Sequence, residues 1–416
     1  MTLQQEAPPP QVDAVPTRPT RGPNRTWRFL QVTHRWFSLI TGIVLLAIIL
    51  SGAILVLGPE IDEWTQPELY RSTPSERILT PEQAVASLKR EAPDFVPGDV
   101  IRTRGVYEIY DLDYIKSAYV DPGTGRLNGI SDRQSGVMGF MRNLHLCALS
   151  CEGYPAYIPF LAKPAPVLGN EELTVGGLIL AVTGLILIFL CISGLVVWWP
   201  GIRRWRRGFQ IRRGKGTYKL NYDLHNVVGI AVLPLLLMWA ISGTGFELKQ
   251  VRDVWYAVLP GEKPPEFEDL HSEPGDGRIG IDRAEQLALA EVPGARPVSV
   301  SVPDPETEDS AYLVYVASGT DPYDHGTWPG NVGIGVDRYS GRAEVTWDYR
   351  DGELATVWED WLYPFHAGYF MGWGYRMSWF VFGFLPLVLA VTAVTTWWMR
   401  RRKRKRKRSR LEPVAQ

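Results

Sequence analysis

VTHRWFSLITGIVLLAIILSG (Val32–Gly52) and DLHNVVGIAVLPLLLMWAISG (Asp223–Gly243) decide how this chain is organised. In each, a histidine precedes a Ser-Gly pair by 17 residues, His34 before Ser51 and His225 before Ser242. At about 1.5 Å per residue this is roughly 26 Å of helix, most of the hydrocarbon thickness of a bilayer. The intervening residues are apolar, so each stretch reads as a membrane span with its histidine at one end and its Ser-Gly near the other.

Two further runs meet the requirement of about 20 mostly apolar residues. The spans are expected over 29–57, 173–199, 225–246 and 377–399. Pro234 and Pro386 fall inside the last two, where a membrane helix tolerates proline better than a soluble one does. A mean hydropathy of −0.08 over the chain hides this segregation. Residues 1–28 form a proline-rich basic arm expected to be disordered. The first apolar run is longer than a signal-peptide core and follows that arm, so it reads as an uncleaved anchor.

Orientation follows from lysine and arginine near the spans. The arm through Arg35 holds five, the loop 200–224 holds eight and the tail 400–416 holds ten. These segments carry 23 of 44 basic residues but only Glu6, Asp13, Asp223 and Glu412 of the 45 acidic ones. Both termini are expected in the cytoplasm and the connections 58–172 and 247–376 outside it, as in a multi-pass protein of a bacterial inner membrane. The basic tail reads as a topology anchor that meets anionic membrane lipid, and no nucleic acid is expected as a partner.

The outside connections echo each other. TPEQAVASLKREAP (Thr80–Pro93) and IDRAEQLALAEVPG (Ile281–Gly294) both read as short amphipathic helices, with Thr80 and Asp282 as candidate caps. Strand-like VYEIYDL and SAYVD follow the first, AYLVYVAS and VGIGVD the second. The turns VDPGTGR (Val120–Arg126) and VDRYSGR (Val336–Arg342) match, each with Asp and Gly four apart. The expected fold is an α-helical membrane protein with two periplasmic α+β domains, built as an internal parallel duplication.

Cys191 falls within a span and reads as packing. Cys147 and Cys151 lie outside, where a bridge persists; a redox or metal role beside His145 stays open.

These segments resemble the PepSY-associated transmembrane-helix (PepSY-TM) family of bacterial inner-membrane proteins. The matching elements are VTHRWFSLITG (Val32–Gly42), NLHLCAL (Asn143–Leu149), DLHNVVGI (Asp223–Ile230), PFHAGYFMGW (Pro364–Trp373) and the two VDxxxG turns. The resemblance covers about Thr26 to Trp398; the CALSC segment departs from it. It implies two PepSY-like domains and a membrane ferric-siderophore reductase carrying b-type haem. It equally admits a non-enzymatic reading, a membrane-anchored PepSY protein that binds or regulates a periplasmic peptidase or peptide.

Four of the six histidines lie at or near membrane boundaries, where ionisable groups are costly and tend to be functional. His34 and His225 fall on one side, His145 and His366 on the other. Two same-side pairs of neutral imidazoles suit two haems with both axial positions filled. No CxxCH occurs, which excludes covalent c-type attachment. Arg142 and Arg376 on the outer side and Arg35 on the inner side are candidate propionate partners, and Gly368, Gly372 and Gly374 would let a flat macrocycle approach the backbone. His271 and His325 are expected to be solvent-exposed.

No nucleotide-binding motif precedes a helix within a βαβ unit, so the electron donor is expected to be a quinol or a cytoplasmic reductase, with a ferric siderophore as acceptor. Transport is disfavoured because no charged residue lies mid-span.

Overall fold

The computed structural model describes residues 25–167, 169–261, 270–319, 330–350 and 352–411. In chain order the first part contains α1 (Arg25–Leu55), α2 (Gly58–Thr65), α3 (Pro81–Glu91), β1 (Pro97–Thr103), β2 (Val106–Asp111), β3 (Lys116–Val120), β4 (Leu127–Asp132), α4 (Gly136–Cys147) and α5 (Val175–Trp198). A 3-10 turn at Trp205–Phe209 leads to α6 (Thr217–Glu247) and α7 (Lys249–Val258). The remainder is α8 (Ile281–Glu291), β5 (Arg296–Ser301), β6 (Tyr312–Ala317), β7 (Val332–Val336), β8 (Ala343–Asp348), α9 (Leu354–Ala367), α10 (Trp373–Gly383) and α11 (Leu385–Leu411).

Among the described residues, four helical segments are long and apolar enough to cross a membrane: α1, α5, α6 and the α10–α11 pair, read together over Trp373–Arg404. They fall on the four expected apolar runs; α5 lies within its run, and the other three start before theirs. α1 begins at Arg25 within the basic arm, α6 begins eight residues before His225, and α11 carries the basic tail on to Leu411. Apolarity marks bilayer depth, whereas Lys, Arg and Tyr continue a helix readily into the headgroups. The fourth span breaks at Phe384, where Pro386 removes a donor from the first turn of α11.

Around the bundle α1 packs on α5, α5 on α6, α6 on α11 and α11 back on α1. α1 and α6 therefore stand on a diagonal. Small residues permit the approaches: a side chain at Gly184 of α5 would strike Thr244 and Ala240 of α6, and one at Gly383 would strike Ala53 of α1.

Among the described residues, the segments between α1 and α5 and between α7 and α9 form one eight-stranded antiparallel sheet, in the order β4-β3-β2-β1-β5-β6-β7-β8. Two α+β domains were expected, and the first strand of each four-stranded meander pairs with the other, Asp99 opposite Ser301, Val100 opposite Val300 and Ile101 opposite Ser299. An unpaired edge strand is a liability, and this pairing removes one from each half. β1 and β5 escape the sequence reading because Pro97-Gly98 and Arg296-Pro297 open them with residues that strands avoid.

α3 and α8 cover one face. Ala84 and Leu88 pack on Val100, Ile109, Ala118 and Val120, while Ala284 and Ala288 pack on Val300, Val314, Val332 and Ile334. Thr80 caps α3 as expected, in a capping box with Gln83. Asp282 does not cap α8, whose N-cap is Gly280; its carboxylate accepts instead from the backbone of Glu82, at 3.0 Å. In the matched turns, Asp121 accepts from the backbone N–H groups of Thr73 and Gly123, and Asp337 from those of Tyr339 and Ser340. Gly125 and Gly341 take the left-handed conformation there, with φ of +75° and +72°. Strand alternation turns Glu108, Tyr110 and Tyr119 to the opposite face, towards the helices.

Candidate cofactor-binding site

α4 and α9 bring His145 and His366 back to the sheet-side end of the bundle. α4 ends where Ala148 adopts a left-handed conformation, φ +46°, and buried Asn143 secures the turn by donating to Pro155 O and accepting from Cys151 N. Cys147 and Cys151 are joined by a disulfide across it. α9 contains Pro364 and ends at Gly368, φ +85°, against the indole of Trp379.

Each of the four imidazoles rests on a neighbouring span through Nδ1. His145 Nδ1 meets Ile48 O of α1 at 2.7 Å, and His366 Nδ1 meets Ser242 Oγ of α6 at 2.7 Å. At the other end, His34 Nδ1 meets Ser193 Oγ of α5 at 2.9 Å. His225 Nδ1 lies 3.2 Å from Leu389 O and 3.1 Å from Thr392 Oγ1 of α11. A carbonyl only accepts, so His145 and His225 carry their proton on Nδ1. Ser193 and Ser242 give their hydroxyl hydrogens to the helix carbonyls of Leu190 and Met238. A hydroxyl so engaged accepts from the imidazole. His145 and His225 thus keep the lone pair on Nε2, His34 and His366 do so when their serines accept, and none of the four Nε2 atoms has a hydrogen-bond partner among the described residues.

Glycines make room for the rings. A Cβ at Gly52 would come within 2.9 Å of both nitrogens of His145, and one at Gly194 within 3.2 Å of His34 Cε1; Gly243 faces His366 more loosely, at 3.5 Å.

His145 and His366 face each other with ring centroids 6.1 Å apart and planes inclined by 45°. Phe246 packs edge-on against His366, and Trp239 donates to the His366 carbonyl at 3.1 Å. His34 and His225 project from the diagonal helices α1 and α6. Among the described residues the ring-to-ring contact is at the sheet-side pair, His145 and His366.

His145 and His366 also line a cavity of about 930 Å³ between the bundle and the sheet, a volume typical of a small-molecule or cofactor site. Its deep part is apolar, with Leu45, Ile48, Leu187 and Trp239; its upper part is polar, with Tyr110, Tyr119, Arg133 and Arg142.

The arginines proposed from sequence separate. Arg142 reaches the cavity wall, held by Asp62 at 2.9 Å and by Arg133 O at 2.9 Å. Arg376 does not line it: 2 % exposed, it binds Glu60 at 2.5 and 2.7 Å and Val56 O at 2.8 Å, tying α10 to α2. Arg35 lies against the Trp36 ring at 5.6 Å. Neither Gly372 nor Gly374 meets another side chain. His271 is exposed beside Asp309, at 3.3 Å, and His325 lies outside the described residues. Cys191 is buried among Val232 and Leu236, as packing requires.

Sequence reasoning missed Arg133, Glu247 and Asp62 of the cavity, which carry no motif. It also missed the serine acceptors, although their signal was present: Ser-Gly recurs in a third span as Ser193-Gly194, and Thr392 stands in the fourth.

A sequence model of the family described as the PepSY-associated TM region matches residues 31–400. The chain belongs to that family. This PepSY-TM protein is also 29 % identical over 135 residues to an uncharacterized protein of Pseudomonas aeruginosa, PA4219; the match covers 29 % of the chain and 32 % of the relative. The chain thus spans about a third of that relative's length, and the likeness conveys no activity.

Proposed function

We propose that this multi-pass PepSY-TM protein holds two b-type haems, one between His34 and His225 and one between His145 and His366, and carries electrons across the bilayer to an acceptor on the sheet side. One observation carries the reading: four imidazoles, paired by side, each fixed through Nδ1 with the Nε2 lone pair left over. Metal-binding histidines are held in this way, the second nitrogen donating to an outer partner that sets tautomer and ring direction. The sheet-side spacing supports the pairing. Two imidazoles on one metal ion, with bonds of about 2 Å, stand with centroids about 6 Å apart, and the observed value is 6.1 Å.

Haem held by these histidines would supply reversible one-electron transfer. The residues of the chain do the rest. Ser193, Thr392, Leu389, Ile48 and Ser242 hold the proton on Nδ1. Gly52, Gly194 and Gly243 seat the rings, and the apolar wall of the cavity excludes water. Arg35 remains a propionate partner at its end, while Arg142 is paired with Asp62 and Arg376 is committed to Glu60, so both belong to the scaffold of the sheet-side end.

The distribution of basic residues supports cytoplasmic termini, with His34 and His225 at the cytoplasmic end and the sheet in the periplasm. The donor is then a quinol or a cytoplasmic reductase, and ferric iron in a siderophore is the acceptor that the family resemblance suggests. Parallel duplication accounts for the matched helices, turns and histidines of the two halves.

A reduced-minus-oxidised spectrum of the purified protein, expressed with haem supplied, tests the proposal. Two b-type haems per chain are expected, with His34→Ala or His225→Ala removing one and His145→Ala or His366→Ala the other. A colourless protein would overturn it and leave the peptide- or peptidase-binding reading.

A further inference from the structure

Three cations stand on the cavity wall besides the histidines, and two are already neutralised. Arg142 is paired with Asp62, and Arg104 with Glu60 and Glu63. Arg133 is different. Its guanidinium lies 4.5 Å above the Tyr110 ring, half-buried, and forms no hydrogen bond or ion pair among the described residues. The nearby carboxylate of Glu108 accepts from the Tyr119 hydroxyl at 2.9 Å and makes no ion pair with Arg133. The backbone holds Arg133 in place, its N–H donating to Ile115 O at 2.9 Å and its carbonyl accepting from Arg142. A half-buried cation stacked on a ring, with its donors unspent and open to a cavity, is poised for a planar oxyanion, because the guanidinium fork matches a carboxylate in geometry and charge.

We propose that Arg133 is the anion-binding residue of this cavity and receives a carboxylate of its occupant. That carboxylate has two possible sources, a porphyrin propionate or an acidic group on the electron acceptor. The first rests on the haem reading above; the second does not. In either case the apolar depth of the cavity takes the body of the ligand and Arg133 orients its polar edge.

Two binding measurements on the full-length protein in detergent separate the sources. The first compares protohaem with its dimethyl ester, binding to protein produced without added haem. The second follows ferric citrate binding to the protein as purified after expression with haem supplied. If the propionate is the partner, wild type prefers protohaem by about tenfold or more, and Arg133→Gln abolishes that preference. If the acceptor is the partner, Arg133→Gln weakens ferric citrate binding by a similar factor and leaves the ester comparison unchanged. Should Arg133→Gln fail to fold, Arg133→Lys keeps the charge without the fork, and a several-fold loss in one arm is expected. No change in either arm, or no binding of either probe by wild type, overturns the assignment. If wild type takes up no haem but binds ferric citrate, the haem reading falls and the citrate arm alone decides on Arg133.

Discussion

Glu82 and Asp282, 200 residues apart, cap each other: the backbone N–H of each donates to the carboxylate of the other, at 3.0 and 3.1 Å. Both lie in the first turn of their helices, α3 and α8, where orphan N–H groups and the helix dipole favour a carboxylate. With Arg102–Glu285, at 2.7 Å, and the β1–β5 pairing, they fasten the two halves of the sheet.

Replacing either by alanine removes one acceptor, and cap losses run at about 1 kcal/mol. Glu82→Ala and Asp282→Ala are each expected to lower the melting temperature modestly. The double variant should lose less than the two singles together, since each pair member orients the other. Strict additivity in thermal denaturation would show that the two caps act independently.

Gly52 and Gly243 offer a contrast within one protein. A methyl group at Gly52 overlaps the His145 ring, whereas at Gly243 it makes ordinary contact with His366. Gly52→Ala is therefore expected to displace His145 and cut haem content from two to one per chain, while Gly243→Ala retains two. Equal stoichiometry in the two variants would count against the sheet-side site.

The Nδ1 acceptors should act on affinity rather than presence. Outer partners of metal-binding histidines are worth about 10- to 100-fold in affinity. Ser242→Ala is expected to weaken the sheet-side haem in that range, and Ser193→Ala the opposite one, with the distant haem unaffected each time. Haem transfer to apomyoglobin measures the loss rate of each site separately.

Acid should loosen the matched turns before the helical bundle. Burial opposes ionisation of Asp121 and Asp337, but hydrogen bonds from Thr73, Gly123 and Thr124, and from Ser340, Tyr339 and Glu273, win and hold both carboxyls below their usual range. A carboxyl whose folded pKa is depressed stabilises the fold above its unfolded value, near pH 4, and that contribution disappears as pH falls through the folded value. Asp121→Asn and Asp337→Asn should be less stable than wild type at neutral pH and nearly equal to it in strong acid. A pH series of melting curves reads this directly.

Much of this architecture was legible because apolar length and helical spacing are local signals. His34 and His225 announce their depth by their distance from Ser-Gly, and α3 and α8 announce themselves by apolar residues at helical intervals. The joint between β1 and β5 was illegible, because pairing of Asp99 with Ser301 depends on strands 200 residues apart whose own residues favour turns. Arg376 shows the same limit at a single side chain. Its position near the outer histidines suggested a propionate contact, but only the tertiary fold brings Glu60 to it from 316 residues away. Arg133 was passed over for the converse reason: nothing nearby in sequence shows that it stays unpaired.

The diagonal arrangement of α1 and α6 has a consequence for ancestry. His34 and His145 rest on Ser193 and Ile48, all from the first half of the chain, and His225 and His366 on Thr392, Leu389 and Ser242, all from the second. Each half supplies every cradle its own imidazoles need, and lacks only the opposing ring at each level. If the halves arose by the duplication proposed above, two copies of a two-span polypeptide, joined along one strand edge, would already supply every imidazole and its support, and a self-associating precursor half this size would have preceded the fused gene.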